Sequence, residues 1–165
     1  MDYKEKTKLF KIRKTILEML EDRKYKITDE LKNVNLQHFI AQYENGNIDI
    51  HVDNIVVRFF EETKSFSRND LKSTCTELRD EYGSSINIII IVKDKFASTV
   101  KTELTKIEYS NVEIFIHDEL IFNITKNYLV PKHILLNKEE TEEVYKKYNM
   151  NNNDNFQQIL VTDPV

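Results

Sequence analysis

The residues best placed for chemistry are carboxylates beside a lysine. Asp49 and Asp53 lie on or next to one expected strand. Glu62-Thr63-Lys64 follows the next strand, just after Phe59-Phe60-Glu61. An Asp on one strand with a Glu-x-Lys after its neighbour is how many metal-dependent nucleases hold Mg²⁺, the lysine supporting the attacking water. Asp49, Glu62 and Lys64 are therefore the candidates for an Mg²⁺-dependent nuclease. The plainer reading is a solvated loop, because Glu-x-Lys is a common tripeptide in a chain with 19 Lys.

Other reactive types are scattered. His38, His51, His117 and His133 include no i,i+4 pair. His117-Asp118-Glu119 groups possible metal ligands, but adjacent residues do not face one site, so an ordinary element boundary is the reading. Cys75 is the single cysteine, which excludes a disulfide framework and a Cys-based zinc site. It falls on the apolar stripe of an expected helix and reads as a buried filler. Gly46 and Gly83 are the only two glycines, so phosphate-cradling glycine loops are excluded.

The elements that would position these residues follow from periodicity. Leu9, Ile12, Ile16 and Leu20 predict a helix over 2–24, with Lys4, Lys8, Lys11, Arg13 and Lys14 on its other faces, a solvated basic cluster or, alternatively, a contact for nucleic acid or an acidic partner. Thr28 can cap a short turn through Leu31, and Asn35 a helix ending at Asn45-Gly46. Ile48–Val52 and Ile55–Phe60 read as antiparallel strands joined by Asp53-Asn54. Ser67 starts a helix over 67–82 that Gly83 stops. Ile86–Val92 is almost continuously β-branched, as in a central strand covered on both faces. A helix over 97–108, with Val100, Leu104 and Ile107 inward, leads to a strand at Val112–Ile116. Hairpin, helix, strand, helix and strand together predict an α/β fold, a three-layer α/β/α domain with a mixed sheet over residues 1–118.

From residue 119 the pattern changes. Pro131 interrupts any regular element, and Asn137 caps a helix over 138–148. Glu139, Glu140, Glu142 and Glu143 crowd its early turns, where the helix dipole favours anions. Residues 149–155 read as a polar linker, and 156–165 carry too few apolar residues to fold alone. A small α+β second domain over 119–165, incomplete or dependent on a partner, is the expectation.

Composition bounds the rest. With 24 Lys+Arg against 28 Asp+Glu the net charge is −4, so the chain is not a wholly basic nucleic-acid binder. No signal-peptide core or membrane-length apolar run is seen, which with the lone cysteine points to a reducing, intracellular compartment. Ile, Asn and Lys supply 54 residues while Ala appears twice, a bias of an AT-rich genome such as that of a protist, a yeast or a large DNA virus.

Several segments are more specific than their physics. The run Lys11-Ile12-Arg13-Lys14-Thr15-Ile16, then Asp22-Arg23 with Tyr25, and Thr28-Asp29-Glu30-Leu31, resembles the opening of a known subunit family. So do Asn123-Ile124-Thr125, Leu129-Val130-Pro131-Lys132-His133, Glu139-Glu140, Lys147-Tyr148 and Asp163-Pro164-Val165. The chain resembles the shared fifth subunit of eukaryotic nuclear DNA-directed RNA polymerases. Its C-terminal part is similar to the small H subunit of archaeal RNA polymerases, and large DNA viruses carry related copies.

The resemblance implies a non-catalytic subunit supporting transcription, located in the nucleus, or in a viral factory or virion if virally encoded. It implies a nuclease-like but inactive jaw domain near downstream duplex DNA, and an assembly domain docking on the largest subunit. Other polymerase subunits would be partners; no cofactor, small-molecule ligand or membrane is implied. The family's Thr-Pro-Ser-Ala loop matches Phe96-Ala97-Ser98-Thr99, which lacks the proline. Lys93, Lys95, Ala97, Ser98 and Lys101 are thereby the DNA-proximal candidates, the lysines meeting phosphates without reading sequence. Plain solvated lysines are the alternative. Leu129, Val130, Pro131, His133, Asp163, Pro164 and Val165 are the candidate assembly interface. The family's Tyr-x-Gly segment and further strands do not follow Val165, so the assembly domain is expected to be cut short.

Overall fold

The computed structural model describes residues 2–46, 48–61, 64–131 and 134–150. Of the candidates above, Glu62, His133, Asp163, Pro164 and Val165 lie outside the described residues. The chain forms two compact units, Met1–Asn123 and Ile124–Val165.

The first unit is a three-layer α/β domain. Its helices are α1 (Tyr3–Asp22), α2 (Asp29–Lys32), α3 (Leu36–Glu44), α4 (Arg68–Tyr82) and α5 (Ser98–Leu104). Its strands are β1 (Ile50–Val52), β2 (Ile55–Phe60), β3 (Asn87–Val92) and β4 (Val112–Ile116), in spatial order β1-β2-β3-β4. β1 pairs antiparallel with β2, while β2-β3 and β3-β4 are parallel. The tight antiparallel hairpin follows from Asp53, which takes a left-handed φ of 50° in the two-residue turn, a conformation Asp tolerates.

Alternation along the strands divides two cores. Ile50, Val52, Val57, Ile89 and Ile91 pack with α1 and α3, including Ile12, Ile16 and Phe39. Val56, Ile88, Ile90 and Val92 pack with Leu71, Cys75 and Leu78 of α4 and Val100 of α5. Burying one such Ile fully is worth about 1.5–3 kcal/mol, so β3, buried from Ile88 to Val92, anchors both cores. Helix α1 lies antiparallel to β3 and β4. Near its start Glu5 pairs with Lys93, just past β3, and beyond its end Arg23 holds Glu113 of β4 bidentately at 2.7 Å.

Three expectations need correcting. The helix after β3 stops at Leu104 rather than at 108. Lys106 turns extended and a 3-10 turn follows over Ile107–Tyr109, so Tyr109 is buried while Ile107 is 92% exposed. Arg13 is not on a solvated face of α1 but 3% exposed, because α1 also packs against α2 and α3. Thr28 begins α2 without a side-chain cap, whereas Asn35 and Ser67 both cap as their sequence positions require.

The second unit contains a 3-10 turn over Ile124–Lys126 and helix α6 (Lys138–Tyr148). Asn137 and Glu140 close a capping box at the start of α6. Asn149 ends it in the left-handed conformation, with Lys146 and Lys147 in the last turn where the dipole favours cations.

Candidate functional site

The loops that follow the parallel strands gather at one edge of the sheet, where α/β domains commonly place ligand sites. Asp49, Arg58, Phe59 and Glu61 line an open cleft of about 490 Å³ there, with Tyr43 and Ile48. Asp49 accepts the Phe59 backbone N–H at 3.1 Å and pairs with the Arg58 guanidinium. Burial nevertheless raises its pKa.

The nuclease constellation is not assembled by these contacts. Lys64 pairs at 3.3 Å with Asp70, the capping residue of α4, and sits over the Phe60 ring. Asp53 is in the hairpin turn, at the end of β2 opposite the segment carrying Lys64. Among the described residues no three His, Cys, Asp or Glu side chains form a candidate metal cluster.

The histidines go separate ways. His38 is exposed on α3, and the His51 ring lies 4.5 Å from that of Tyr82, tilted by 50°. His117-Asp118-Glu119 forms a 3-10 turn whose side chains diverge, as adjacent residues must. Asp118 meets Lys8 at 2.8 Å, and Glu119 accepts the Ile116 N–H at 2.9 Å. His117, 3% exposed, faces Glu61 at 3.2 Å. Sequence reasoning missed this last contact; its only signal is that each residue directly follows a strand. Cys75 is buried, and burial pushes its thiol up to about 11, so little thiolate forms at neutral pH.

The loop from Lys93 to Ala97 is tied to the neighbouring loop. Phe66 N–H donates to the Lys95 carbonyl at 3.3 Å, and Ala97 N–H donates to the Phe66 carbonyl at 3.0 Å. Ala97 holds the N-cap position of α5, Ser98 begins the helix, and the Lys101 ammonium lies 5.8 Å from the Phe96 ring centre. The three lysines are unequal. Lys93 is committed to Glu5 at 2.9 Å, which raises its own pKa and lowers that of Glu5. Lys95 and Lys101 are exposed and have no carboxylate partner among the described residues.

In the second unit Leu129 is 71% exposed and Leu135 99%, with Tyr128 and Ile134 also open to solvent. Val130 is half-buried and Pro131 exposed. The Leu129 N–H and Val130 N–H are held by Asn127, through its side chain and its carbonyl respectively, both at 3.0 Å. A run of apolar side chains is thus displayed rather than packed. Among the described residues no helix is long and apolar enough to cross a membrane.

The first unit is a layered α/β domain, and the described residues of the second display open apolar side chains, a feature common at interaction surfaces. The particular family follows from comparison: the chain belongs to the RNA polymerase Rpb5, N-terminal domain, family, whose pattern matches residues 3–162. It is 34% identical over 166 residues to the Dictyostelium discoideum DNA-directed RNA polymerases I, II, and III subunit rpabc1, covering 96% of this chain and 82% of that protein. The Caenorhabditis elegans subunit RPABC1 of polymerases I, II, and III is 26% identical over 181 residues, covering 99% and 84%. The Arabidopsis thaliana DNA-directed RNA polymerases IV and V subunit 5B is 28% identical over 153 residues, covering 87% and 69%.

Proposed function

We propose that this chain is a non-catalytic subunit of a multisubunit DNA-directed RNA polymerase and serves transcription in the nucleus, or in a viral factory or virion if a virus encodes it. The match of the family pattern to residues 3–162 carries the reading. The polymerase subunits named among its relatives make other polymerase subunits its partners.

Within that assembly the first domain, residues 1–118, acts as a jaw near downstream duplex DNA. Lys95 and Lys101 approach phosphates, with Ala97 and Ser98 beside them. Lys93 contributes less, because Glu5 already offsets its charge. The second domain, residues 119–165, docks on the largest subunit through Leu129, Val130, Pro131, His133, Asp163, Pro164 and Val165. The exposure of Leu129 and Pro131 supports this surface. The nuclease alternative with Asp49, Glu62 and Lys64 is not favoured, because Arg58 engages Asp49 and Asp70 engages Lys64.

The test is affinity capture of the tagged chain from its native source. Large polymerase subunits should co-purify. Recovery of the chain without them would refute the proposal, and cleavage of plasmid by the purified chain with Mg²⁺ would restore the nuclease.

A further inference from the structure

A second recess lies away from the sheet edge, between α1 and α2. Phe10 and Leu17 of α1, with Leu31 and Val34, give it apolar walls. Arg13, Lys14 and Lys32 also line it. Its volume of about 140 Å³ is far below the roughly 300–1,000 Å³ of pockets that hold drug-sized ligands. It has room for a side chain, not for a nucleotide or a cofactor.

Its charge is unbalanced. Lys32 is paired with Glu21 at 2.6 Å. Lys14 is exposed and has no carboxylate partner among the described residues. Arg13 is 3% exposed; among the described residues its Nη1 donates to the Ile48 carbonyl at 3.3 Å, while Nε is buried without a partner. Burial lowers its pKa, with no carboxylate acting against that effect. Buried charges are normally paired, and among the described residues this arginine has no counter-ion.

We propose that the α1–α2 recess is a docking site for an acidic–apolar segment of a partner polypeptide. An apolar side chain of that segment enters between Phe10, Leu17, Leu31 and Val34. A neighbouring Asp or Glu pairs with the exposed Lys14 and lies over the nearly closed-off Arg13, offsetting its charge. Charge complementarity selects an acidic partner, and the apolar walls select a peptide over nucleic acid, whose phosphates would find lysines here but no use for the recess. The site shares no residue with the surfaces assigned to DNA and to the largest subunit, so its test is independent of theirs.

The experiment titrates the purified full chain with a short peptide alternating Asp or Glu with Leu and Phe. Binding is followed by fluorescence anisotropy and by methyl NMR shifts. Shifts are expected on Leu17, Leu31 and Val34. Lys14→Glu, at an exposed position, should weaken binding by about tenfold or more, since like charges face each other in the complex. Arg13→Gln should weaken it as well, with thermal melting run alongside to separate loss of fold from loss of site. No binding at millimolar peptide would overturn the proposal, as would shifts elsewhere on the domain. So would an acidic peptide lacking Leu and Phe that binds equally well, or a short DNA duplex producing the same shifts.

Discussion

His117 and Glu61 meet at 3.2 Å across the end of β3. Each is the first residue beyond its strand, Glu61 after β2 and His117 after β4, and β3 lies between those strands. The two facing atoms are shielded from water and complete no hydrogen bond, so the contact is a close approach of two buried polar atoms. Replacing His117 with Ala removes the polar ring that faces the Glu61 carboxylate and leaves a void in its place, and should cost about 1–3 kcal/mol. Urea unfolding measures it. Glu61→Gln, which keeps shape and hydrogen-bonding capacity, should cost less; equal losses would contradict the pairing.

Helix α4 starts in a complete capping box. Ser67 accepts from the Asp70 N–H, and Asp70 accepts from the Ser67 N–H at 2.9 Å. Ser67→Ala should destabilise the first unit by about 1 kcal/mol. A melting curve superimposable on the wild type would show that the cap contributes nothing.

Acid should unfold the protein through identifiable carboxylates. The Ser67 hydroxyl holds Asp70 below the usual carboxylate range, Lys93 does so for Glu5, and Lys8 for Asp118. A folded-state pKa below the unfolded value means the unfolded chain takes up protons first as pH falls. The stabilisation is fully present above the ordinary carboxylate pKa and is lost as pH drops through the folded value, so Tm should fall between roughly pH 5 and pH 2. Asp70→Asn should make that fall shallower. Asp49, raised by burial, contributes with the opposite sign.

Charge reversal at Lys95 and Lys101 together should weaken the grip of the assembled polymerase on downstream DNA, most visibly at low salt. Dissociation of stalled transcription complexes over a salt series reads this out. Identical dissociation of wild type and variant would remove these lysines from the DNA interface.

Leu129→Asp combined with Leu135→Asp should leave the fold of the first unit unchanged, because both side chains are already in solvent. The same pair should abolish recovery of the largest polymerase subunit on capture. Undiminished recovery would place the docking surface elsewhere.

Much of the architecture was legible because it is written in short-range chemistry. The β-branched runs marked β2 and β3, and the caps Asn35, Ser67 and Asn137 sit where the helices begin. Helix α5 misled because Val100, Leu104 and Ile107 keep helical spacing, yet the burial that decides the matter falls to Tyr109. Arg13 misled because its charge outweighs, in a local reading, a position packed among three helices. The His117–Glu61 contact joins residues that are far apart in sequence, so no spacing rule reaches it. At the candidate DNA loop the lysines themselves were visible, but their inequality was not, since only folding brings Glu5 to Lys93. The family came from extended motifs, not from any catalytic geometry.

Helix α1 is fastened by the part of its domain made last. Arg23 grips Glu113, and Lys8 reaches Asp118 across 110 residues of chain. During synthesis this helix leaves the ribosome before the sheet that covers it, and its apolar stripe waits while that sheet is still being made. Closing so long a loop is the slow kind of folding step. The nascent domain therefore passes through an interval in which Leu9, Ile12 and Ile16 lack their final cover, and chaperone capture of this subunit should centre on its first helix.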